Sequence, residues 1–215
     1  SDVPHISASA QKEMLDAMQP HMREARTKGI PVMGSGVIYP VPEAVVTVAP
    51  FEIPEYWPRA YGMDVGWNRT AAVWGAWDRE ADTIYVYAEH YMGQAAPAVH
   101  ASAINAKGRW IWGAIDPASA GSGQLEGRKL REEYTKEGLN LIDADNAVEA
   151  GIHACYQRFV AGRLKIFTTC RNLISEFRIY RRNEDGKIVK ANDHALDALR
   201  YLIMSGMRVA RASPH

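Results

Sequence analysis

The stretch AYGMDVGWNRTAAVWGAWDREADTIYVYA, residues 60–88, decides the fold class of this chain. It contains three apolar or β-branched runs, at Ala60–Val65, Ala71–Trp77 and Thr83–Ala88, with short polar segments between them. Runs of this length bounded by turn residues are typical of β-strands. We therefore predict three consecutive antiparallel strands.

Helices and strands alternate after these three runs, because helical periods and short apolar runs follow one another along the chain. The predicted helices cover Ala95–Ala106, Leu125–Thr135, Ala147–Val160, Leu173–Arg182 and a last helix from Asn192-Asp193. The predicted strands cover Trp110–Ile115, Leu139–Ile142 and Leu164–Phe167. This order predicts an α/β protein with a mixed central sheet, in which parallel strands follow the antiparallel ones and helices cover both faces.

The first part of the chain has a different composition. Gln11–Thr27 has a helical apolar period, whereas Gly29–Pro58 contains six of the 11 prolines. Prolines at this density favour extended chain that crosses a surface. We expect a helical and extended connector over residues 1–58 and one folded domain over residues 59–215.

Composition limits the class of protein. The 215 residues, 47% of them hydrophobic, can bury one core, and no apolar run is long enough to cross a bilayer. The first ten residues lack the pattern of a secretion signal, so we expect a cytoplasmic protein. Cys155 and Cys170 lack metal-binding spacing, which predicts buried, reduced thiols. The net charge of zero argues against nucleic-acid binding through overall charge, but it is compatible with a basic face beside an acidic site.

Two acidic residues lie at predicted strand ends. Asp64 interrupts the apolar run of the first strand, and Asp116 follows the strand that ends at Ile115. A carboxylate at such a position is costly unless it is paired or binds a metal. Because ligands collect at the carboxyl ends of parallel strands, these positions predict a shared acidic site. A turn role for Asp116, which precedes Pro117, is the alternative.

The start of the last helix supplies further candidate ligands. Asp193, His194 and Asp197 are spaced to converge on one helical face. Carboxylate oxygens suit Mg²⁺, and a histidine among them favours Mn²⁺ somewhat. Two such ions, roughly 3.5–4 Å apart, can activate a water molecule and stabilise the leaving oxygen of a phosphodiester. Asp193 could instead cap the helix, and Asp197 could be a surface or salt-bridge acid.

Seven motifs together resemble one protein family. They are Arg23-Glu24-Ala25-Arg26, Gly29-Ile30-Pro31, Gly34-Ser35-Gly36, Asp64-Val65-Gly66-Trp67-Asn68, Ile115-Asp116-Pro117, Gly186-Lys187-Ile188-Val189-Lys190 and, most specific, Asn192-Asp193-His194-Ala195-Leu196-Asp197-Ala198-Leu199-Arg200-Tyr201. The chain resembles the carboxyl-terminal nuclease domain of large terminase subunits from tailed bacteriophages, the motors that package and cut viral DNA. The resemblance covers most of the chain.

The resemblance implies an RNase H-like fold and a metal-dependent endonuclease that cuts double-stranded viral DNA during genome packaging. The implied catalytic residues, which also bind the metal, are Asp64, Asp116, His194 and Asp197, with Asp193 as a further candidate metal ligand. Asp64 would bridge two ions of Mg²⁺ or Mn²⁺, Asp116 would hold one, and the last helix would hold the other. Many members have two adjacent acids where this chain has Asp193-His194, and we favour His194 with Asp197.

The resemblance also implies partners and a location. Full-length members act with a portal protein and a small terminase subunit in the cytoplasm of the infected bacterial host. They also contain an ATPase with a GxxxxGK[ST] motif, which this chain lacks, so we expect no ATP binding here. We expect this part of the protein to be monomeric. A RuvC-like resolvase, a transposase-type nuclease and an inactive module that docks on portal or DNA are the competing interpretations.

Basic residues near the acids are candidate phosphate contacts, since cations give sequence-independent affinity for DNA. They are Arg128, Lys129, Arg131, Arg178, Arg181, Arg182, Lys187 and Lys190. Ordinary solvated helix faces are the alternative for each. Asp185-Gly186 predicts a hairpin turn next to the last helix. Trp67 and Trp112 flank the acids, and we interpret both as core aromatics rather than base-stacking platforms.

Overall fold

A computed structural model of the protein describes residues 36–117 and 123–214, with side chains described throughout except at 123–128. The predicted helical lead-in at Gln11–Thr27 and the motifs before Gly36 lie outside the described residues. The same holds for the side chain of Arg128.

The described elements follow the predicted order. The strands are β1 Thr47–Val48, β2 Arg59–Asp64, β3 Thr70–Asp78, β4 Thr83–Met92, β5 Trp112–Ile115, β6 Asn140–Asp143 and β7 Leu164–Phe167. The helices are α1 Glu43–Val46, α2 Pro97–Asn105, α3 Gly123–Lys136, α4 Val148–Val160, α5 Arg171–Ile179 and α6 His194–Met204, and a 3₁₀ turn covers Gly206–Val209. Every helix and strand predicted after residue 59 is confirmed, with small shifts at the ends.

The seven strands form one sheet in the order β1-β7-β4-β3-β2-β5-β6. Strand β3 runs antiparallel to β2 and β4, and all other neighbouring pairs are parallel. This confirms the predicted three-stranded meander and the mixed sheet. Strand β3 lies in the middle and is buried on both faces along most of its length, which explains its nearly continuous apolar sequence.

Helices cover both faces of the sheet, as predicted. On one face, α4, α5 and α6 contribute Phe159, Leu173 and Leu199 to the larger core cluster. On the other face, α2 and α3 contribute Ile104 and Tyr134 to a second cluster. The α/β fold class predicted from the sequence is therefore confirmed.

Helix α6 lies directly on β2 because glycine leaves room for it. A Cβ atom at Gly62 would lie 1.9 Å from the carbonyl oxygen of Ala198 and 2.5 Å from the backbone nitrogen of Leu202. No side chain fits in this space. The close approach brings the first turn of α6 beside the end of β2, where Asp64 lies.

The described part of the predicted connector contributes to the core, which the sequence did not indicate. Tyr39 is buried against Phe159 and Phe177, with ring centroids 5.3 and 5.8 Å apart. Strand β1 pairs with β7 at the edge of the sheet. The prediction of extended chain crossing a surface misses this burial, because a strand of two residues between prolines leaves no recognisable period.

Helix α5 ends at Ile179, three residues before the predicted end. Tyr180 leaves the helical conformation, and its carbonyl accepts a hydrogen bond from the backbone N–H of Ile38 at 3.0 Å. Arg182 then pairs with Ile188 in an antiparallel bridge. This bridge closes the predicted hairpin turn at Asp185-Gly186.

Two further predictions can be compared with the structure. Cys155 and Cys170 are both buried free thiols, as expected. Within residues 36–117 and 123–214, every helix is too short or too polar to cross a lipid bilayer.

Candidate functional site

The two strand acids occupy equivalent positions on neighbouring strands. Met63 pairs with Ile115 in the parallel ladder between β2 and β5, so Asp64 and Asp116 come next on each strand. The backbone N–H of Asp116 donates to the carbonyl of Met63 at 3.3 Å. Because neighbouring strands lie about 4.8 Å apart, the two acids are close, as the sequence predicted.

Both acids also face the same helix. Gly62 and Ala114, each two residues before an acid, lie on the α6 side of the sheet, where Ala114 clusters with Tyr201. Side chains two residues apart on a strand point to the same face. Asp64 and Asp116 therefore project towards α6.

His194, the first residue of α6, contacts the first strand acid. Its Nδ1 lies 2.8 Å from Oδ2 of Asp64. This hydrogen bond raises the pKa of His194 and so favours the charged imidazolium. Burial raises the pKa of Asp64 despite the histidine, and the charges of Asp197 and Asp116 add to the rise. The carboxylates of Asp116 and Asp197 are therefore near enough to Asp64 to influence its ionisation.

The helix acids are held by two cations. The Nζ of Lys190 lies 3.2 Å from Oδ2 of Asp193 and 3.4 Å from Oδ2 of Asp197. On the other side of Asp197, Arg200 donates from Nε at 3.1 Å and from Nη2 at 2.8 Å to the same Oδ1. Arg200 is fully buried, so its guanidinium fixes the orientation of the carboxylate. Asp197 forms the salt bridge that the sequence alternative allowed.

Asp193 does not cap its helix through its side chain. It precedes α6 at the N-cap position, but its carboxylate accepts no capping hydrogen bond. Glu176 of α5 takes that role, because its Oε2 accepts from the backbone N–H groups of Ala195 at 2.7 Å and Leu196 at 3.0 Å. Its Oε1 accepts from the hydroxyl of Tyr91 at 2.7 Å. The capping alternative for Asp193 is therefore wrong.

Sequence reasoning missed Glu176 and two further residues of the site, Arg200 and Tyr201. Tyr201 lies one turn after Asp197 and is buried. Burial raises its pKa, and the charges of Asp116, Asp197 and Asp64 raise it further. The spacing of four residues from Asp197 was the available signal for Tyr201. For Glu176, the signal was an acid on the apolar face of a helix.

The donor chemistry of this site fits a hard divalent cation. Across the described ranges, no three His, Cys, Asp or Glu side chains are already arranged around one ion position. Lys190 and Arg200 occupy the oxygens of Asp197, and His194 contacts Asp64. Mg²⁺ commonly binds one or two carboxylates and completes its shell with water, so a three-residue cage is not required.

The predicted phosphate contacts divide into two groups. Lys129, Arg181 and Lys187 have exposed side chains, and four others form ion pairs with acids, of which Arg178 and Lys190 are also exposed. The ion pairs are Arg131 with Asp143 at 2.8 Å, Arg178 with Glu43 at 2.6 Å, Arg182 with Glu149 at 2.6 Å and Lys190 with the two helix acids. DNA contact by any of them stays a prediction.

Trp67 corrects one sequence interpretation. Its side chain is 70% exposed in the loop between β2 and β3, so it is not a core aromatic. Trp112 is half-buried, and the guanidinium of Arg211 lies 4.8 Å from its ring centroid. The interpretation of Trp67 as a core aromatic failed because an apolar residue just after a strand end can be either buried or exposed.

Comparison with curated proteins finds relatives among phage packaging proteins. The chain is 34% identical to the large terminase subunit of Enterobacteria phage LP7 over an alignment of 222 positions, which covers 96% of this chain and 45% of that protein. The large terminase subunit of Salmonella phage P22 is also 34% identical over 93% of this chain and 42% of that protein. The chain thus spans less than half the length of these relatives.

Solved structures agree with this relationship. The nuclease domain of the P22 large terminase superposes with a TM-score of 0.75 at 33% identity, over 84% of this chain and 96% of that one. The large terminase nuclease of phage G20c with bound magnesium shares the fold, with a TM-score of 0.57 at 16% identity over 81% of this chain and 98% of that one. The family model for the terminase RNase H-like domain matches residues 61–205. This chain therefore belongs to the terminase RNase H-like domain family.

Proposed function

We propose that this domain is a metal-dependent endonuclease that cuts double-stranded viral DNA during genome packaging. One observation supports this most directly: Asp64 and Asp116 lie side by side at the ends of two parallel strands, and His194 at the start of α6 lies 2.8 Å from Asp64. A cluster of carboxylates is the arrangement that phosphodiester hydrolysis with divalent cations needs. The 33% identical P22 relative is described as a nuclease domain, which supports the same activity.

In this proposal Asp64 and Asp116 hold the metal from the strand side, and His194, Asp197 and Asp193 are the candidate ligands from α6. Bound Mg²⁺ or Mn²⁺ would activate the attacking water and stabilise the leaving oxygen. The G20c structure with bound magnesium, and another of that nuclease with bound cobalt, support a divalent cation. The histidine among the carboxylates favours Mn²⁺ somewhat over Mg²⁺.

The surrounding residues position these ligands. Arg200 donates hydrogen bonds to Oδ1 of Asp197 from inside the core. The other oxygen, Oδ2, contacts Lys190 at the edge of the site. Glu176 holds the start of α6, and therefore the backbone of His194. Supporting residues of this kind commonly change metal affinity or activity by about 10- to 100-fold when they are lost.

The longer protein would provide the rest of the machinery. We propose that residues 1–58 connect the nuclease domain, residues 59–215, to an ATPase domain, and that Tyr39 and β1 anchor this connector on the domain. The portal protein and the small terminase subunit are the proposed partners, in the cytoplasm of the infected host. The exposed Lys129, Arg181 and Lys187 are the proposed phosphate contacts.

The test is cleavage of supercoiled plasmid and of linear duplex by the purified domain with Mn²⁺, Mg²⁺ or EDTA. We expect metal-dependent nicking and linearisation, and a loss of more than about 100-fold in Asp64→Ala, since a direct ligand should matter more than a supporting residue. Asp78→Ala is the matched control, because Asp78 also ends a strand, but β3 runs the opposite way. Thermal unfolding shows whether each variant is folded.

The other outcomes select the competing functions. Absence of cleavage with every metal would contradict the proposal and favour an inactive docking module. Cleavage restricted to branched DNA would favour a resolvase. Equal activity in wild type and Asp64→Ala would show that the acids are not the site of the reaction.

A further inference from the structure

The loop after Asp64 displays a large aromatic side chain to solvent. Trp67 is 70% exposed, although the loop that contains it is fixed by hydrogen bonds. The backbone N–H of Gln94 donates to the carbonyl of Trp67 at 2.8 Å, and the hydroxyl of Thr70 donates to the carbonyl of Gly66 at 3.2 Å. The tryptophan thus projects from an ordered backbone.

Two more contacts hold the rest of this loop. Gly93 lies so close to Asn68 that a Cβ atom at Gly93 would be 2.0 Å from the carbonyl oxygen of Asn68. The guanidinium of Arg69 stacks on Tyr91, 4.6 Å from the ring centroid. Because both β3 and β4 brace the loop, Trp67 stays exposed without a partner having to order it first. Pre-organisation of this kind reduces the entropy lost on binding.

Trp67 also lies close to the acids. It follows Asp64 by three residues, so the two Cα atoms are at most about 11 Å apart. Nucleotides along one DNA strand are spaced by about 3.4 Å of helix axis. A strand whose phosphate lies at Asp64 would therefore have Trp67 within about three nucleotides of that phosphate.

We propose that Trp67 stacks on a DNA base within about three nucleotides of the phosphate that would be cut, an inference that rests on the proposed function. An indole has one N–H donor and a large apolar face, so it suits a base better than a phosphate. Every base has a π-face, so the contact would not select a sequence. Bases in an intact duplex are stacked on each other, and apolar side chains reach them where the duplex is kinked or partly unstacked. Trp67 should therefore increase the affinity for distorted duplex DNA more than the affinity for straight duplex DNA.

The experiment compares binding to two short fluorescent duplexes, one fully paired and one with a central mismatch bubble, by fluorescence anisotropy in EDTA. We expect wild type to bind the bubble more tightly, and Trp67→Ala to lose about 5- to 100-fold of that affinity, the range for one base–aromatic stack. Trp67→Phe should retain most of it. Tyr56→Ala is the matched control, because Tyr56 is 72% exposed but precedes β2 at its opposite end.

Parallel plasmid cleavage separates the two proposals. If wild type cuts and binds DNA but Trp67→Ala binds the bubble as well as wild type does, the stacking inference is wrong and the nuclease proposal stands. Equal losses in Trp67→Ala and Tyr56→Ala would also overturn it, because any exposed aromatic would then serve. Binding of DNA by wild type without metal-dependent cutting, together with a loss confined to Trp67→Ala, would support the stacking contact and contradict the nuclease.

Discussion

The acids of the site lie on two sides: Asp64 and Asp116 form the strand side, and Asp193 and Asp197 form the helix side. The two sides differ in the cations that contact their carboxylates. On the strand side, Asp64 contacts the titratable imidazole of His194, and burial raises its pKa. On the helix side, Asp193 and Asp197 contact the ammonium of Lys190, and Asp197 also contacts the guanidinium of Arg200. Lys190 and Arg200 stay charged at neutral pH and contact the helix-side acids, whereas His194, which contacts Asp64, can lose its charge.

This difference suggests separate roles for the two sides. A carboxylate that is costly to ionise in the apo protein gains most from an added cation. A carboxylate already paired with arginine gains less, but its orientation is fixed in advance. We infer that Asp64 contributes much of the attraction for a metal ion, and that the helix side contributes most of the geometry.

The largest effect should come from Arg200→Met, which removes the fixed cation of the helix side. Arg200 is fully buried, and Asp197 is 8% exposed. Loss of one partner from a buried pair costs up to about 3–5 kcal/mol, and the exposed Lys190 would be the cation left beside the buried Asp197. Urea unfolding should show this decrease in stability, and Arg200→Met with Asp197→Asn should recover part of it.

The matched control for this prediction is Arg182→Met. Arg182 also pairs with a carboxylate, Glu149, but that pair lies at the surface and should contribute little. Equal stability of Arg200→Met and wild type would contradict the view that Arg200 holds the helix side.

The features that could be predicted from the sequence are those that depend on neighbouring residues. The sheet and the strand acids were predictable, because apolar runs and an acid within or just after them are properties of neighbouring residues. Asp64 and Asp116 come from different strands, but the rule that parallel strand ends meet on one edge was sufficient to bring them together.

The features that could not be predicted depend on contacts between residues that are far apart in the sequence. Glu176 caps a helix that begins 18 residues later, and only the packing of α5 on α6 reveals it. Tyr39 belongs to the core through rings more than 100 residues away in the sequence. The exposure of Trp67 depends on whether the β2–β3 loop is covered, and no local pattern states that.

The second prediction concerns Gly62→Ala, a substitution that should increase the distance between the strand side and the helix side. Gly62→Ala forces a methyl group against the backbone of α6, where the carbonyl oxygen of Ala198 would be 1.9 Å away. Overpacking of this kind typically costs about 1–3 kcal/mol, and the helix should shift away from Asp64. We expect lower stability in urea unfolding and weaker Mn²⁺ binding in calorimetry.

Gly75→Ala is the control for that prediction. Its methyl group would meet the side chains of Leu202 at 2.9 Å and Ile84 at 3.1 Å, and no backbone atom lies as close as at Gly62. It should cost less than Gly62→Ala and leave Mn²⁺ binding unchanged. If both variants behave alike, the close approach of α6 to β2 does not set the geometry of the site.

The smallest effect should come from Lys190→Met, which removes the exposed cation of the helix side. The side chain of Lys190 is 61% exposed, so solvent screens its ion pairs with Asp193 and Asp197. Because its ammonium occupies carboxylate oxygens that a metal would use, its removal should tighten Mn²⁺ binding by about two- to fivefold, as expected for a screened pair.

Calorimetric titration of the DNA-free domain with Mn²⁺ measures this change in affinity. Lys187→Met is the control, because it removes the same charge from the neighbouring hairpin. An equal gain in both variants would indicate a general field effect. Unchanged affinity in Lys190→Met would mean that the oxygens it contacts do not take part in binding the metal, and the ligand set would then reduce to Asp64, Asp116 and His194.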